Sequence, residues 1–255
     1  MNKALKGVAS FAVLLAIWQA LAVSGWFPSS LFPGPVSVAQ ALVDRASSGQ
    51  LVLDIGASMY RFFIGYLIAC ASAVLLGLVM GWCTRAWDFL NPVVQFLRPI
   101  SPVAWLPFIV LWLGIGDIPA IVVIFLAAFF PVLLSTVGAV RRIDPVYLKV
   151  SKNFGLGSAQ TLFKIVLPAV FPVIANALHI ALGTAWIFLV AGEMAGTQSG
   201  LGFLIADARN NLRTDELLAA IVVIGLLGVL LDWIIKQFEA CVNRVWGTGV
   251  QGAEE

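Results

Sequence analysis

The chain has 255 residues, of which 61% are hydrophobic and only 11% charged, with a mean hydropathy of +0.99. So few charges cannot coat a water-exposed surface, which excludes a soluble domain and leaves an all-α, polytopic membrane protein. The balance of 15 Lys+Arg against 13 Asp+Glu says little by itself; the placement of those charges says more.

Lys3 and Lys6 precede an uncharged run from Gly7 to Phe27. A basic start and an apolar core also describe a signal peptide, but the run is long for one and further spans follow, so it reads as a first span. Pro33-Gly34-Pro35 makes a turn, and Val36, Ala39, Leu42 and Val43 outline a short amphipathic helix on the outer face. Phe62 to Thr84 is a second span, and Arg85, Asp88 and Arg98 mark a cytoplasmic return. Pro99, Pro102 and Pro107 interrupt the third apolar segment, Pro99 to Gly116. In lipid the carbonyls freed by proline need protein neighbours, so this broken stretch belongs inside the bundle. Ile118 to Val140, Ala169 to Gly192 and Leu217 to Ile235 complete six expected spans in a single transmembrane domain covering 1–255. Cys70, Cys83 and Cys241 lie in or beside these runs without metal-ligand spacing, so they read as small packing residues and no metal site is expected.

The interval 141–168 carries Arg141, Arg142, Lys149, Lys152 and Lys164 against one acid, Asp144. Asp144-Pro145 is a helix start, with a capping side chain followed by proline at the first helical position. Val146, Val150 and Phe154 then share one face, and Gly155-Leu156-Gly157 ends the helix. Ser158 is placed to cap a second helix, with Ala159, Leu162, Phe163, Val166 and Leu167 as its apolar stripe and Pro168 as its end. A connector whose apolar face lies on the protein's own core or on lipid headgroups would look the same. Six spans set both termini in the cytoplasm. That puts Lys3, Lys6, Arg85, Arg98, Arg141, Arg142, Lys149, Lys152, Lys164, Lys236 and Arg244 inside, and only Arg45, Arg61, Arg209 and Arg213 outside, in line with the positive-inside rule.

This interval resembles the cytoplasmic loop of ABC importer permeases, whose pattern is EAA, three residues, Gly, nine residues and I-x-L-P. Here Lys149-Val150-Ser151 stand at the triplet, then Gly155, then Ile165-Val166-Leu167-Pro168; the triplet's usual Glu is replaced by Lys149. The segments LRPISPVAWLPFIVLWLGIGD, LAAFFPVLLSTVGAVRRIDP and AWIFLVAGEMAGTQSGLGFLIADARNNLRTD are similar to the branch serving nitrate, sulfonate, taurine and bicarbonate importers. The resemblance implies a type I permease fold with a coupling helix docked on an ATPase. Its contact residues would be Lys149, Val150, Ser151, Phe154, Gly155, Gly157, Leu162, Ile165, Leu167 and Pro168. It further implies a homodimer in the bacterial inner membrane, served by two ATPase subunits that hold ATP and Mg and by a periplasmic or lipid-anchored binding protein. No nucleic-acid partner is implied. The chain itself has no Gly-rich phosphate loop, so no cofactor of its own and no catalytic residue are expected.

The pathway candidates are Trp105, Pro107, His179, Trp186 and Glu193. For His179, the only histidine, a functional role and a neutral bond to a neighbouring helix both stand. Glu193 reads as an outer-end residue that caps and hydrates, with a gate or a binding-protein contact as the other reading. Trp105, Trp112 and Trp186 fit packing or interface anchoring as readily as a pathway. Asp232 is expected to pair with a cytoplasmic cation. An ion-coupled transporter would show inverted repeats and midplane acids, and an intramembrane enzyme a catalytic constellation; neither is visible.

Overall fold

The computed structural model describes residues 3–26, 28 and 30–245. Phe27 and the side chains of Lys3, Lys6, Cys241 and Arg244 fall outside the described residues, so their assigned places stay expectations. Everything regular among the described residues is helical: α1 (Lys3–Val23), α2 (Pro35–Ser47), α3 (Gln50–Trp82), α4 (Thr84–Leu97), α5 (Leu106–Leu113), α6 (Asp117–Arg141), α7 (Pro145–Asn153), α8 (Ser158–Thr161), α9 (Leu167–Gly196), α10 (Leu201–Asn210) and α11 (Thr214–Val245). Four stretches are long and apolar enough to cross a membrane: Gln50–Trp82, Asp117–Arg141, Ser158–Gly196 and Thr214–Gln237. The bent pair α4–α5 makes a fifth, and Ala9–Val23, in the region read as the first span, is a shorter apolar helix.

The core is the seam of α3, α6 and α9, where Phe62, Ile124, Val132, Leu133 and Leu189 are buried. Lipid tails are as apolar as leucine, so helices in a membrane associate through close packing, and small residues permit it. On α3 the face Gly65, Ala69, Ala73, Gly77 and Gly81 repeats every four residues toward α6. A Cβ at Gly77 would lie 2.6 Å from Thr136 Cβ, and one at Gly81 2.6 Å from Val140 Cβ. Gly77→Val is therefore expected to destabilise the bundle by about 1–3 kcal/mol through overpacking. Thermal unfolding in detergent reads this directly, and an unchanged melting temperature would mean that α3 and α6 separate freely.

The structure revises the third span. The prolines do break Pro99–Gly116, but the preceding segment, read as a cytoplasmic return, is the helix α4. The chain then bends by 82°. Pro102 pushes the residue before it out of the α region: Ser101 is extended at φ −58°, ψ 132°, whereas Arg98, before Pro99, stays helical at φ −52°, ψ −46°. A single 3-10 turn, Pro102–Trp105, leads into α5, whose 8 residues reach only about 12 Å and cannot cross ~30 Å of hydrocarbon alone.

A second revision concerns Pro168, which does not end the helix. Ser158 to Gly196 is one helix of 39 residues. Its Leu162–Val166 turn is π-helical, with the Leu167 N–H donating to the Leu162 carbonyl. Proline at 168 removes a donor and crowds the carbonyl four residues back. The wider turn ahead of it absorbs both effects, so the helix runs on.

Candidate functional site

A cavity of about 900 Å³ opens between α6, α9 and the α4–α5 break. Arg98, Arg142, Asp144 and Tyr147 stand at its mouth, beside α7. Leu126, Phe130, Thr184 and Phe188 line its deeper part; Ser135 supplies a hydroxyl, while that of Thr184 donates back to the Ile180 carbonyl at 3.0 Å. The Asp144 carboxylate is occupied, accepting the Val146 N–H at 2.8 Å as the cap of α7. Cations at the mouth and the Ser135 hydroxyl within suit weak, transient contact with a small anion; a fixed strong site would trap it. Ser135→Cys is expected to react with a membrane-impermeant thiol reagent from the cytoplasmic side alone; reaction from outside would place the opening at the wrong end.

Of the pathway candidates, Trp105 lines this cavity and Pro107, two residues on within α5, does not. Trp186 is buried in the core instead. Its Nε1–H donates to the Ile224 carbonyl at 3.2 Å, and its ring meets Phe62 edge-on at 5.4 Å. The side chain fits because Gly228 has no Cβ; one there would sit 2.9 Å from Nε1. His179 faces α11, with Nε2 2.7 Å from Asp232 Oδ1 and Nδ1 3.3 Å from Glu239 Oε2. Only the imidazolium can donate to both carboxylates. Asp232 also accepts from Lys236 Nζ at 2.6 Å, so it does pair with a cation on α11.

Glu193 is fully buried in the last turn of α9 rather than hydrated. It accepts from Arg61 Nη1 at 2.7 Å, from Ser58 Oγ at 2.9 Å and from the Gly202 N–H at 2.9 Å. Arg61, assigned to the outer face, is buried too, because α3 begins at Gln50 and carries it well inside the helix. It also donates from Nε to Asp117 Oδ1 at 2.7 Å and from Nη1 to the Ser199 carbonyl at 2.7 Å. One guanidinium thus ties α3 to α6, α9 and the loop before α10. Gly200, at φ +100°, makes that loop's approach possible, since a Cβ there would overlap Glu193 Oε1 and Arg61 Nη1. Sequence reading passed over this cluster; its one local sign is the pair Gly200 and Gly202.

The loop around α7 sits beside the cavity mouth. α7 turns Val146, Val150 and Phe154 outward, exposed by 58%, 41% and 77%. Lys149 is exposed with them, whereas Ser151 is buried and donates to the Leu148 carbonyl at 2.8 Å. Gly155 takes φ +68° and reverses the chain. Gly157, not Ser158, is the N-cap of α8, and its N–H reaches Gln160 Oε1 at 3.4 Å. Ser158 Oγ instead accepts from Trp82 Nε1 at 2.9 Å. Leu162 is buried with Val166, Val170 and Ile174, so it supports the loop from within rather than facing out. Ile165, Leu167 and Pro168 are half-buried on the same helix.

Residues 73–244 match the family described as the binding-protein-dependent transport system inner membrane component. The chain belongs to that family. The permease is 32% identical to the taurine transport system permease protein of Escherichia coli, over 91% of its own length and 86% of the relative's. It is 33% identical to the nitrate import permease protein of Synechocystis, covering 94% and 90%. A Bacillus subtilis permease named for aliphatic sulfonates transport is 32% identical, covering 97% and 90%. In fold, the permease resembles a chain of the MetNI methionine ABC transporter solved in inward-facing conformations. The TM-score is 0.60 at 19% identity, over 81% of this chain and 94% of that one. The permease is therefore a multi-pass transport subunit of an ABC importer, all-helical and of the inner membrane, in the branch whose members serve sulfonates, taurine and nitrate.

Proposed function

We propose that this permease imports a small organic or inorganic anion, an aliphatic sulfonate or taurine first, as one half of a homodimer. The cavity beside α7 carries this reading: a weakly polar space with Arg98 and Arg142 at its mouth, adjoining an exposed apolar helix edge. Two ATPase subunits holding ATP and Mg would grip the 145–168 loops from the cytoplasm, and a binding protein would deliver the anion from outside. Closure of the ATPases would move α7, and α9 through the continuous helix from Ser158, so alternating access passes along the cavity wall. Trp105 belongs to this path. Both termini lie inside in this arrangement, and lipid covers the apolar outer faces.

Nitrate or bicarbonate is the alternative cargo, since relatives of equal similarity are named for nitrate. The test is ATPase stimulation of the reconstituted complex with its binding protein across sulfonates, taurine, nitrate and bicarbonate. A response to sulfonates or taurine is expected, and a response to nitrate alone moves the assignment. Orientation is checked by labelling. Ser158→Cys should react from the cytoplasm only and Ser48→Cys from outside only, both positions being exposed. The reverse pattern would overturn the topology.

A further inference from the structure

We propose that the ATPase groove receiving α7 has an apolar floor and a carboxylate rim, so that this permease docks through Lys149 and Lys152 as well as through its apolar edge. The proposal rests on the reading of the loop as the ATPase contact and adds the chemistry of the partner surface. The apolar part is Val146, Val150 and Phe154, all exposed, with Tyr147 beside them. The charged part is Lys149 and Lys152, also exposed, flanked by Arg142 and Lys164. Among the described residues none of these four cations has an ion pair; Arg141 alone in this region reaches one, Asp88 at 3.7 Å. The loop's single acid, Asp144, is held at the helix cap and faces the Val146 N–H. The outward face of α7 is therefore greasy and uncompensated in charge. A groove that buried it without acids would desolvate ammonium groups with nothing to replace their water, and a basic groove would repel them.

An anionic lipid surface would also suit a basic amphipathic helix, but the placement of α7 argues against it. The helix Ser158–Gly196, at 39 residues, is about 58 Å long against ~30 Å of hydrocarbon. Its outer end is level with the start of α6, because the Gly116 N–H donates to the Gly196 carbonyl at 2.9 Å. Much of the surplus thus emerges on the cytoplasmic side. The bond from Trp82 Nε1 to Ser158 Oγ holds the loop's exit at the far end of α3, itself 33 residues long. α7 stands there, beyond the acyl chains, where a protein groove can close on it.

The experiment measures binding of the cognate ATPase to the permease in nanodiscs at rising salt. The double variant Lys149→Glu/Lys152→Glu should weaken binding by about tenfold or more and flatten its salt dependence, while Lys149→Arg/Lys152→Arg keeps both. Phe154→Ala should weaken binding without changing the salt slope. If Phe154→Ala weakens binding and the charge reversal does not, the carboxylate rim is wrong and the docking reading stands. If neither matters, the docking reading itself fails. If the reversal lowers affinity for phosphatidylglycerol vesicles and leaves ATPase binding intact, the partner is the lipid surface and the proposal is overturned.

Discussion

Replacing Arg61 with alanine is expected to cost the permease about 3–5 kcal/mol, as removal of one partner does for a buried ion pair. Arg61 and Glu193 are 3% and 0% exposed in their side chains, and neither can recruit water if the other is lost. Glu193 would keep only Ser58 Oγ and the Gly202 N–H, which do not neutralise a carboxylate. The Asp117 arm of the network matters less, because that side chain is 53% exposed and screened. Arg61→Lys should fall between wild type and alanine: one ammonium cannot serve Asp117, Glu193 and Ser199 together, as the guanidinium fork does. Arg61→Met with Glu193→Leu should recover much of the loss, because no charge is then stranded. Thermal unfolding of wild type and the three variants in detergent decides this. An alanine variant that melts with wild type would mean the cluster is hydrated and does not hold the outer ends of α3, α6 and α9 together.

Gly155→Val is expected to leave the bundle folded and to abolish ATPase binding and uptake. Space is not the obstacle, since nothing lies within 4 Å of a Cβ placed at Gly155. The backbone is: φ is +68°, a region that costs an L-residue about 1–2 kcal/mol and a β-branched one more. The reversal also sets two closing bonds, Gly155 N–H to the Lys152 carbonyl at 3.0 Å and Leu156 N–H to the Ser151 carbonyl at 3.1 Å. Relief of the strain would unwind the end of α7 and turn Phe154 away from Val150. Gly155→Asn should retain most binding, because asparagine enters the left-handed region readily. Pull-down of the ATPase together with uptake measures both variants. Full function of the valine form would show that this loop is not the coupling element.

What was legible in the sequence was mostly local. The Asp144-Pro145 helix start, the break at Gly155 and the outward face of Val146, Val150 and Phe154 each depend on residues within one or two turns, and all three appear in the structure. The pairing of Asp232 with a cation is of the same kind, since Lys236 is four residues on. What escaped depends on distance along the chain or on compensation. Arg61 and Glu193 are 132 residues apart, and reading spans as uncharged runs placed both outside the bundle. Pro168 looks like a helix end unless the π-turn before it is known. Leu162 shares a stripe with outward residues, yet the core formed by Leu78, Val140 and Ile174 claims it. Trp186 was drawn toward the pathway by residue type, whereas the missing Cβ at Gly228 puts it in the core.

The most direct test is uptake by proteoliposomes containing this permease and its ATPase, with the binding protein outside and ATP inside. Accumulation of a labelled sulfonate or taurine should require ATP and the binding protein, and should vanish with Gly155→Val while the permease remains folded in the membrane. Accumulation without ATP, driven by an imposed proton or sodium gradient, would contradict the account and make the chain a transporter of another kind.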